Sequence, residues 1–179
     1  MKYFIATDIH GSAYWAQKVV QKFAESQADV LVLLGDIYNH GPRNPLPKQY
    51  EPLKVAELLN PFASKMIVVQ GNCDSEVDQM ISDFLFVREN FVFVGNKRIL
   101  FTHGHVHNKT NTANLSQGDV IVYGHFHVNE ITTANGINCV NLTSCALPKN
   151  NSTPAYAILD DNGITLYDFS DVQIASLVF

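Results

Sequence analysis

Five short apolar runs divide this chain, and each is followed directly by polar side chains of the kind that bind metal ions. The runs are Tyr3–Thr7, Val30–Leu34, Met66–Gln70, Ile99–Thr102 and Val120–Tyr123. Continuous apolar runs of this length are typical of strands that are buried on both faces of a sheet. Because ligands bind beyond the carboxyl ends of such strands, we expect the residues that follow these runs to meet along one sheet edge.

The side chains that follow the five runs are carboxylates, imidazoles and one carboxamide. They are Asp8 and His10, Asp36, Asn72 and Asp74, His103 and His105, and His125 and His127. Imidazole and carboxylate ligands together suit borderline divalent cations such as Mn, Fe, Co, Ni and Zn. A single histidine in such a place is more often a surface or hydrogen-bonded residue, but the recurrence at five strand ends favours a metal centre.

Helical periodicity separates the first three runs. The spacing predicts a helix from Ser12 to about Gln27, a second helix from Pro52 and a short third helix from Ser75 toward Phe84. In the second helix the residues expected to face the core are Leu53, Ala56, Leu59 and Leu58. The first half of the chain therefore alternates strands and helices, which is typical of an α/β fold.

The second half of the chain is rich in strands and turns. Beyond the runs named above, the predicted strands are Phe91–Val94, Arg98–Thr102, Glu130–Ala134, Asn138–Leu142, Ala155–Asp160, Gly163–Phe169 and Ile174–Phe179. Asn135-Gly136 and Asn162-Gly163 predict hairpin turns. We therefore expect a single domain over 1–179 with an α/β fold, a four-layer α/β/β/α sandwich with two packed mixed β-sheets. Irregular loops are expected at Gly41–Pro52 and Gly104–Asp119.

The polar residues form ordered blocks that resemble those of a known family. The blocks are Asp8-Ile9-His10, Gly35-Asp36-(x3)-His40, Gly71-Asn72-Cys73-Asp74, Thr102-His103-Gly104-His105 and Tyr123-Gly124-His125-Phe126-His127. In order and spacing over residues 8–127 they are similar to the calcineurin-like metallophosphoesterases. The extended segments around Asp36 and Asn72 resemble those of the small bacterial YfcE-type phosphodiesterases. The likeness to that type covers nearly the whole chain. The resemblance implies the metallophosphoesterase fold and the hydrolysis of phosphodiesters.

The resemblance also implies how the residues divide between two metal ions. Asp8, His10 and His127 would hold one ion, Asn72, His103 and His125 the second, and Asp36 would bridge both. A hydroxide shared by two divalent ions is then the expected nucleophile, because paired cations acidify water and bind phosphoryl oxygens. Manganese is the first metal to test, with Zn, Fe, Ni, Co and Mg as alternatives.

Further catalytic and substrate-binding roles follow less directly. The predicted catalytic set is Asn72, Asp36, His40, Cys73 and Asp74. Cys73 stands where many family members have a histidine that protonates the leaving group, and a thiol is a poor substitute at neutral pH. Asp74 is expected either to orient a metal-bound histidine or to place a charge at a helix N-terminus. Substrate contacts are assigned to Asn39, His40, Arg43 and His105.

Other functions compete with phosphodiester hydrolysis. A phosphomonoesterase or a nuclease would use the same two-metal site, and a protein-binding scaffold would keep the fold without catalysis. The 12 basic and 17 acidic residues give a net charge of −5, which argues against a broad nucleic-acid surface. The longest apolar runs fall far short of a membrane span, and three sparse cysteines fit a reducing cytoplasm. The apolar C-terminus, Ile174–Phe179, is a final strand or a contact between copies of a homo-oligomer.

Overall fold

Twelve strands form two mixed sheets that pack face to face in the computed structural model, which describes residues 1–179. The elements in chain order are β1 (Tyr3–Ala6), α1 (Ala13–Ser26), β2 (Val30–Leu33), α2 (Pro52–Leu59), β3 (Met66–Val69), β4 (Phe86–Val87), β5 (Asn90–Val94), β6 (Lys97–Phe101), β7 (Val120–Tyr123), β8 (Glu130–Ala134), β9 (Ile137–Asn141), β10 (Ala155–Asp160), β11 (Gly163–Asp168) and β12 (Gln173–Val178), with 3₁₀ helices at Asn60–Lys65 and Glu76–Ile81.

The strand order shows why both sheets are mixed. The first sheet has the order β12-β11-β10-β1-β2-β3-β4, and the second has the order β5-β6-β7-β9-β8. Strands β1 to β4 run parallel to one another, as do β6, β7 and β9, while the hairpin strands at the edges are antiparallel. The C-terminal segment forms the edge strand β12, and the two-residue strand β4 was not predicted from the sequence.

Alternation along the central strands divides the core into two layers. On β1, Phe4 and Ala6 pack toward the helices, whereas Tyr3 and Ile5 pack between the two sheets. This period of two is expected of a strand that is buried on both faces. All three cysteines are free.

The helices confirm part of the predicted pattern, but one residue predicted to lie in the core is exposed. The hydroxyl of Ser12 accepts a hydrogen bond from the Trp15 N–H (3.3 Å), so α1 begins as predicted. The helix ends at Ser26 with Gln27 as its C-cap, which is also as predicted. In α2, however, Leu53 is 67% exposed. The short helix instead buries Val55, and the predicted core positions Ala56 and Leu59 are buried as expected. The predicted third helix is the 3₁₀ turn over Glu76–Ile81.

The predicted sandwich is confirmed for its two packed sheets, with one difference in its outer layer. Both α-helices lie against the first sheet, and no α-helix follows the 3₁₀ turn at Glu76–Ile81. The second sheet therefore has no helix on its outer face. The outer face of the second sheet is covered by the loop 104–119, whose Ala113 and Leu115 pack on the cluster around Ile121 and Tyr123. None of the helices combines the length and the apolar composition that crossing a membrane requires.

Candidate metal centre

The loops that follow β1, β2, β3, β6 and β7 meet at one end of the two sheets. Backbone hydrogen bonds join them: the Asp8 N–H donates to the Gly35 carbonyl (3.0 Å), and the Gly124 N–H donates to the His103 carbonyl (2.9 Å). Between the two sheets, the N–H of His125 donates to Asp8 Oδ2 (3.1 Å). The polar residues therefore gather at the carboxyl ends of the strands as expected, but those strands belong to two packed sheets and not to one.

Asp36 lies between two groups of polar side chains. Its Oδ2 is 3.8 Å from His10 Nε2 on one side and 3.5 Å from His103 Nε2 on the other. Its Oδ1 accepts a hydrogen bond from the Cys73 N–H (2.8 Å), which fixes the carboxylate. One carboxylate oxygen thus faces both groups, as a bridging ligand requires.

The first group consists of Asp8, His10 and His127, all of which are buried. Asp8 Oδ1 is 3.1 Å from His127 Nε2 and 3.5 Å from His10 Nε2. The two imidazole Nε2 atoms are themselves 3.2 Å apart. Three ligand atoms therefore converge on one point, an arrangement that suits a divalent cation.

The second group contains Asn72, His103 and His125. His103 Nε2 is 3.1 Å from Asn72 Oδ1, and the rings of His103 and His125 have centroids 5.1 Å apart. Asn72 supplies a neutral oxygen. Asp8 and Asp36 are then the carboxylates within the seven predicted ligands, so two dications would leave the site with net positive charge.

Three of the histidines are held in one tautomer by backbone carbonyls. The Nδ1–H groups donate to the carbonyl of Asn39 from His10 (2.7 Å), of Leu34 from His103 (2.7 Å) and of Leu147 from His127 (2.6 Å). In the neutral ring each Nε2 then carries the lone pair and faces the site, as a metal ligand requires. Because His10 and His127 bring two such lone pairs within 3.2 Å, a shared cation satisfies both where a hydrogen bond between two neutral rings cannot. The donor set therefore fits a metal.

The two carboxylates, Asp8 and Asp36, favour positive charge at the site. Burial opposes the protonation of His103, but the hydrogen bond to Asp36 and the charge of Asp8 outweigh it and raise the pKa of His103 to about 9. Burial and the neighbouring His103 lower the pKa of His125 to about 4, so this ring is neutral at neutral pH. The carboxylates that favour an imidazolium also attract a metal cation.

Backbone strain is concentrated at the same residues. Five of the seven predicted ligands have a positive φ: Asp8 (54°), His10 (52°), Asp36 (53°), His125 (67°) and His127 (60°). A positive φ is uncommon outside glycine and costs free energy that the surrounding structure must supply. Such clustering is typical of functional sites.

Two glycines allow the carboxylates to approach the backbone. A Cβ atom on Gly71 would lie 2.1 Å from Asp36 Oδ1, and one on Gly124 would lie 2.4 Å from Asp8 Oδ2. Both distances are far below a van der Waals contact, so any side chain at these positions would displace a predicted ligand.

Asp74 neither orients a histidine nor serves as a helix charge, the two roles that we expected. Its carboxylate accepts three backbone hydrogen bonds, from the N–H groups of Asp36 (2.8 Å), Ile37 (2.8 Å) and Gly71 (2.7 Å). Burial and the nearby charge of Asp36 raise the pKa of Asp74 to about 6. Asp74 therefore joins the loop after β2 to the loop after β3 and positions the backbone of Asp36.

An open cleft of about 800 Å³ leads to the centre. The predicted residues that line it are Asp36, Asn39, Arg43, Asn72, Cys73, His125 and His127. The cleft is also lined by Lys149, which falls in the segment Leu142–Thr153 expected to contribute to a pocket, and by Phe126, to which no role was assigned; the place of Phe126 between two histidine ligands was the available signal.

His40 and His105 are placed differently from what their assigned roles suggest. The ring of His40 lies edge-on against Tyr50 (5.1 Å between centroids) and outside the lining of the cleft. His105 is exposed, 5.3 Å from the ring of His103, and lines a separate pocket with Arg88. Neither imidazole faces the cleft through which a substrate would enter.

A segment after β9 supports the first group from behind. The Ser144 hydroxyl donates to the Asp8 carbonyl (2.7 Å), and the Thr143 hydroxyl donates to the His127 carbonyl (2.7 Å). The Thr7 hydroxyl donates to Asp8 Oδ2 (2.6 Å). These buried hydroxyls offset part of the strain at the ligands, and no spacing in the sequence points to them.

Comparison with known proteins agrees with this geometry. A family model described as the calcineurin-like phosphoesterase superfamily domain matches residues 1–163. Phosphodiesterase YfcE of Escherichia coli K12 is 42% identical over 99% of this chain and 97% of its own. The probable metallophosphoesterase YsnB of Bacillus subtilis is 28% identical over 99% of this chain and 96% of its own.

A solved structure shows the same fold. The structure of Yfce, a phosphoesterase from E. coli, superposes with a TM-score of 0.95 at 41% identity, and the match covers 99% of each chain. The arrangement of the two sheets agrees with this solved structure, and the family model covers all the segments that carry the polar centre. The chain belongs to the calcineurin-like phosphoesterase superfamily.

Proposed function

We propose that this chain is a metal-dependent phosphodiesterase that holds two divalent ions and acts on small phosphate esters. The observation that carries the proposal is the convergence of His10, His103 and His127, each with Nδ1–H bound to a backbone carbonyl and Nε2 directed at a carboxylate. The 42% identity to a named phosphodiesterase over nearly the full length supports the same reaction.

The chain's own groups would bind and orient the ester. Bound divalent ions would polarise the phosphoryl group and supply a nucleophile from water. Arg43 and Lys149, the cationic side chains of the cleft, would attract the phosphate from solvent. Asp36, fixed by the Cys73 N–H, would be a ligand to both ions.

Manganese is the metal that we propose, since the site combines imidazole nitrogens with carboxylate and carboxamide oxygens. The test is an assay of metal-free protein reloaded separately with Mn, Zn, Fe, Ni, Co and Mg, using a p-nitrophenyl diester and the matching monoester. We expect diester hydrolysis that is abolished by a chelator and highest with Mn. Faster hydrolysis of the monoester would favour a phosphomonoesterase, and no hydrolysis with any metal would favour a binding scaffold.

The rate should depend steeply on the leaving group. The imidazole and carboxyl groups that line the cleft are Asp36, His125 and His127, and all three are predicted ligands. Burial and the charge of Asp36 raise the pKa of Cys73 to about 12, so its thiol is a weak proton donor. A series of aryl diesters should show kcat/KM falling sharply as the pKa of the leaving phenol rises. A flat series with a rate-limiting chemical step would show that an efficient general acid is present.

A further inference from the structure

The carboxamide of Asn72 has two chemically different ends, and only one of them can serve as a metal ligand. The oxygen can bind a cation, whereas the amide nitrogen carries two N–H donors and has no free lone pair. The structure places Oδ1 3.1 Å from His103 Nε2, within the second group of predicted ligands. The carboxamide therefore already has the orientation that a ligand needs.

The neutral His103 ring does not itself select this orientation. Its Nδ1–H donates to the Leu34 carbonyl, so Nε2 of the neutral ring is an acceptor, as Asn72 Oδ1 is. A metal ligand must be the neutral imidazole. The reversed carboxamide would donate an N–H to that nitrogen and turn its oxygen away. A contact at the other end of the side chain is needed to keep the oxygen in place.

That contact is made by the sulfur of Cys73. Asn72 Nδ2 donates a hydrogen bond to Cys73 Sγ (3.2 Å), while the rest of the Asn72 side chain is exposed and free of packing that would restrict its rotation. Sγ lies within 4.8 Å of the Asp36 carboxylate, whose negative charge draws the S–H toward itself. The lone pairs of the sulfur are then left for the N–H of Asn72.

Cys73 is held firmly enough to act as a guide. A Cβ atom on Gly41 would lie 2.9 Å from Cys73 Sγ, so the loop after β2 packs directly against the sulfur. The backbone N–H of Cys73 donates to Asp36 Oδ1 (2.8 Å). The sulfur and the N–H of one residue therefore contact two of the predicted ligands, Asn72 and Asp36.

We propose that Cys73 is a positioning residue whose sulfur keeps the Asn72 carboxamide oxygen directed at the second metal ion. Its role is to orient a ligand, which a thiol can do as an acceptor without giving up its proton. This inference rests on the proposed function, since it concerns the second of two ions.

Metal binding by Cys73→Ala tests the role of the sulfur. Alanine keeps the backbone N–H that donates to Asp36 and removes the acceptor for Asn72. We expect the second Mn²⁺ to bind about tenfold more weakly than in wild type and the first to bind unchanged. Calorimetric titration of metal-free protein with MnCl₂ measures both affinities. The matched control is Cys139→Ala, which removes a buried free thiol from the outer face of the second sheet.

A double-mutant cycle with Asn72→Asp separates orientation from general disturbance of the loop. Aspartate has an oxygen at both ends, so either orientation supplies a ligand and the sulfur has nothing to select. Cys73→Ala should weaken binding of the second ion about tenfold beside asparagine and less than about twofold beside aspartate. Cys73→Ser, whose hydroxyl also accepts an N–H, should retain most of the affinity. Equal losses beside asparagine and aspartate would overturn the orienting role.

The contact can also be observed without metal or turnover. In nuclear magnetic resonance spectra of metal-free wild-type protein, the Nδ2 protons of Asn72 should show a nuclear Overhauser effect to the β protons of Cys73. An effect to the ring protons of His103 in its place would show that the carboxamide is reversed and would overturn the proposal.

The positioning role and the proposed reaction fail in different ways. If wild-type protein and Cys73→Ala bind two ions with the same affinities, the positioning role is wrong and the phosphodiesterase stands. If wild-type protein binds two ions, Cys73→Ala loses affinity for the second and neither hydrolyses a diester, the proposed reaction is wrong and the positioning role stands.

Discussion

Asp36→Asn is expected to reduce diester hydrolysis about a thousandfold, because it removes the charge shared by both groups of predicted ligands. Asp36 Oδ2 is 3.8 Å from His10 Nε2 and 3.5 Å from His103 Nε2, so this one oxygen faces both groups. Asparagine keeps the shape of the side chain and an acceptor for the Cys73 N–H. The measurements are kcat/KM with a p-nitrophenyl diester and the number of metal ions bound per chain.

The control for this variant is Asp161→Asn. It removes one exposed carboxylate in the turn between β10 and β11, outside the predicted ligands, and should leave both measurements unchanged. We expect Asp36→Asn to bind fewer than two ions per chain while its circular dichroism spectrum remains that of wild type. Full metal content with full activity would show that Asp36 is not a shared ligand. Full metal content with reduced activity would place its role in the reaction rather than in binding.

Sequence patterns were informative where each strand buries both faces. A strand such as Val30–Leu33 needs apolar residues at every position, so its end, and the polar residue that follows, can be read directly. The order of such strand ends predicted that Asp8, Asp36 and His103 would lie together, and they do, although His103 follows a strand of the second sheet. The fold was predictable for the same reason.

The parts that could not be predicted depend on backbone conformation or on contacts distant in sequence. The positive φ of His127 and the carbonyl of Leu147 that fixes its ring leave no periodic signal. Leu53 was wrongly placed in the core because an eight-residue helix with a proline start allows more than one buried stripe. Asp74 was misread because its partners are backbone N–H groups, which every residue has.

Asp74→Ala is expected to lower the free energy of unfolding by about 3 kcal/mol or more, because three N–H groups lose their acceptor. The affected donors belong to Asp36, Ile37 and Gly71, and Asp74 itself is 8% exposed. For a chain of this size such a loss corresponds to a fall of roughly 10 °C in melting temperature. Activity should fall as well, since the backbone of Asp36 and the loop of Asn72 lose their common anchor. Urea unfolding and kcat/KM at a temperature where the variant is folded measure the two effects.

Two further variants separate the anchoring role from general destabilisation. Asp74→Asn keeps one acceptor oxygen and removes a carboxylate whose pKa is raised to about 6 by burial and by Asp36, so its loss of stability should be less than half that of alanine. Asp78→Ala removes another buried carboxylate, one that accepts the Ser75 N–H (2.7 Å) away from the centre. It should cost about 1 kcal/mol and leave kcat/KM unchanged. If Asp78→Ala impaired catalysis as strongly as Asp74→Ala, the activity loss would reflect instability and not the position of Asp36.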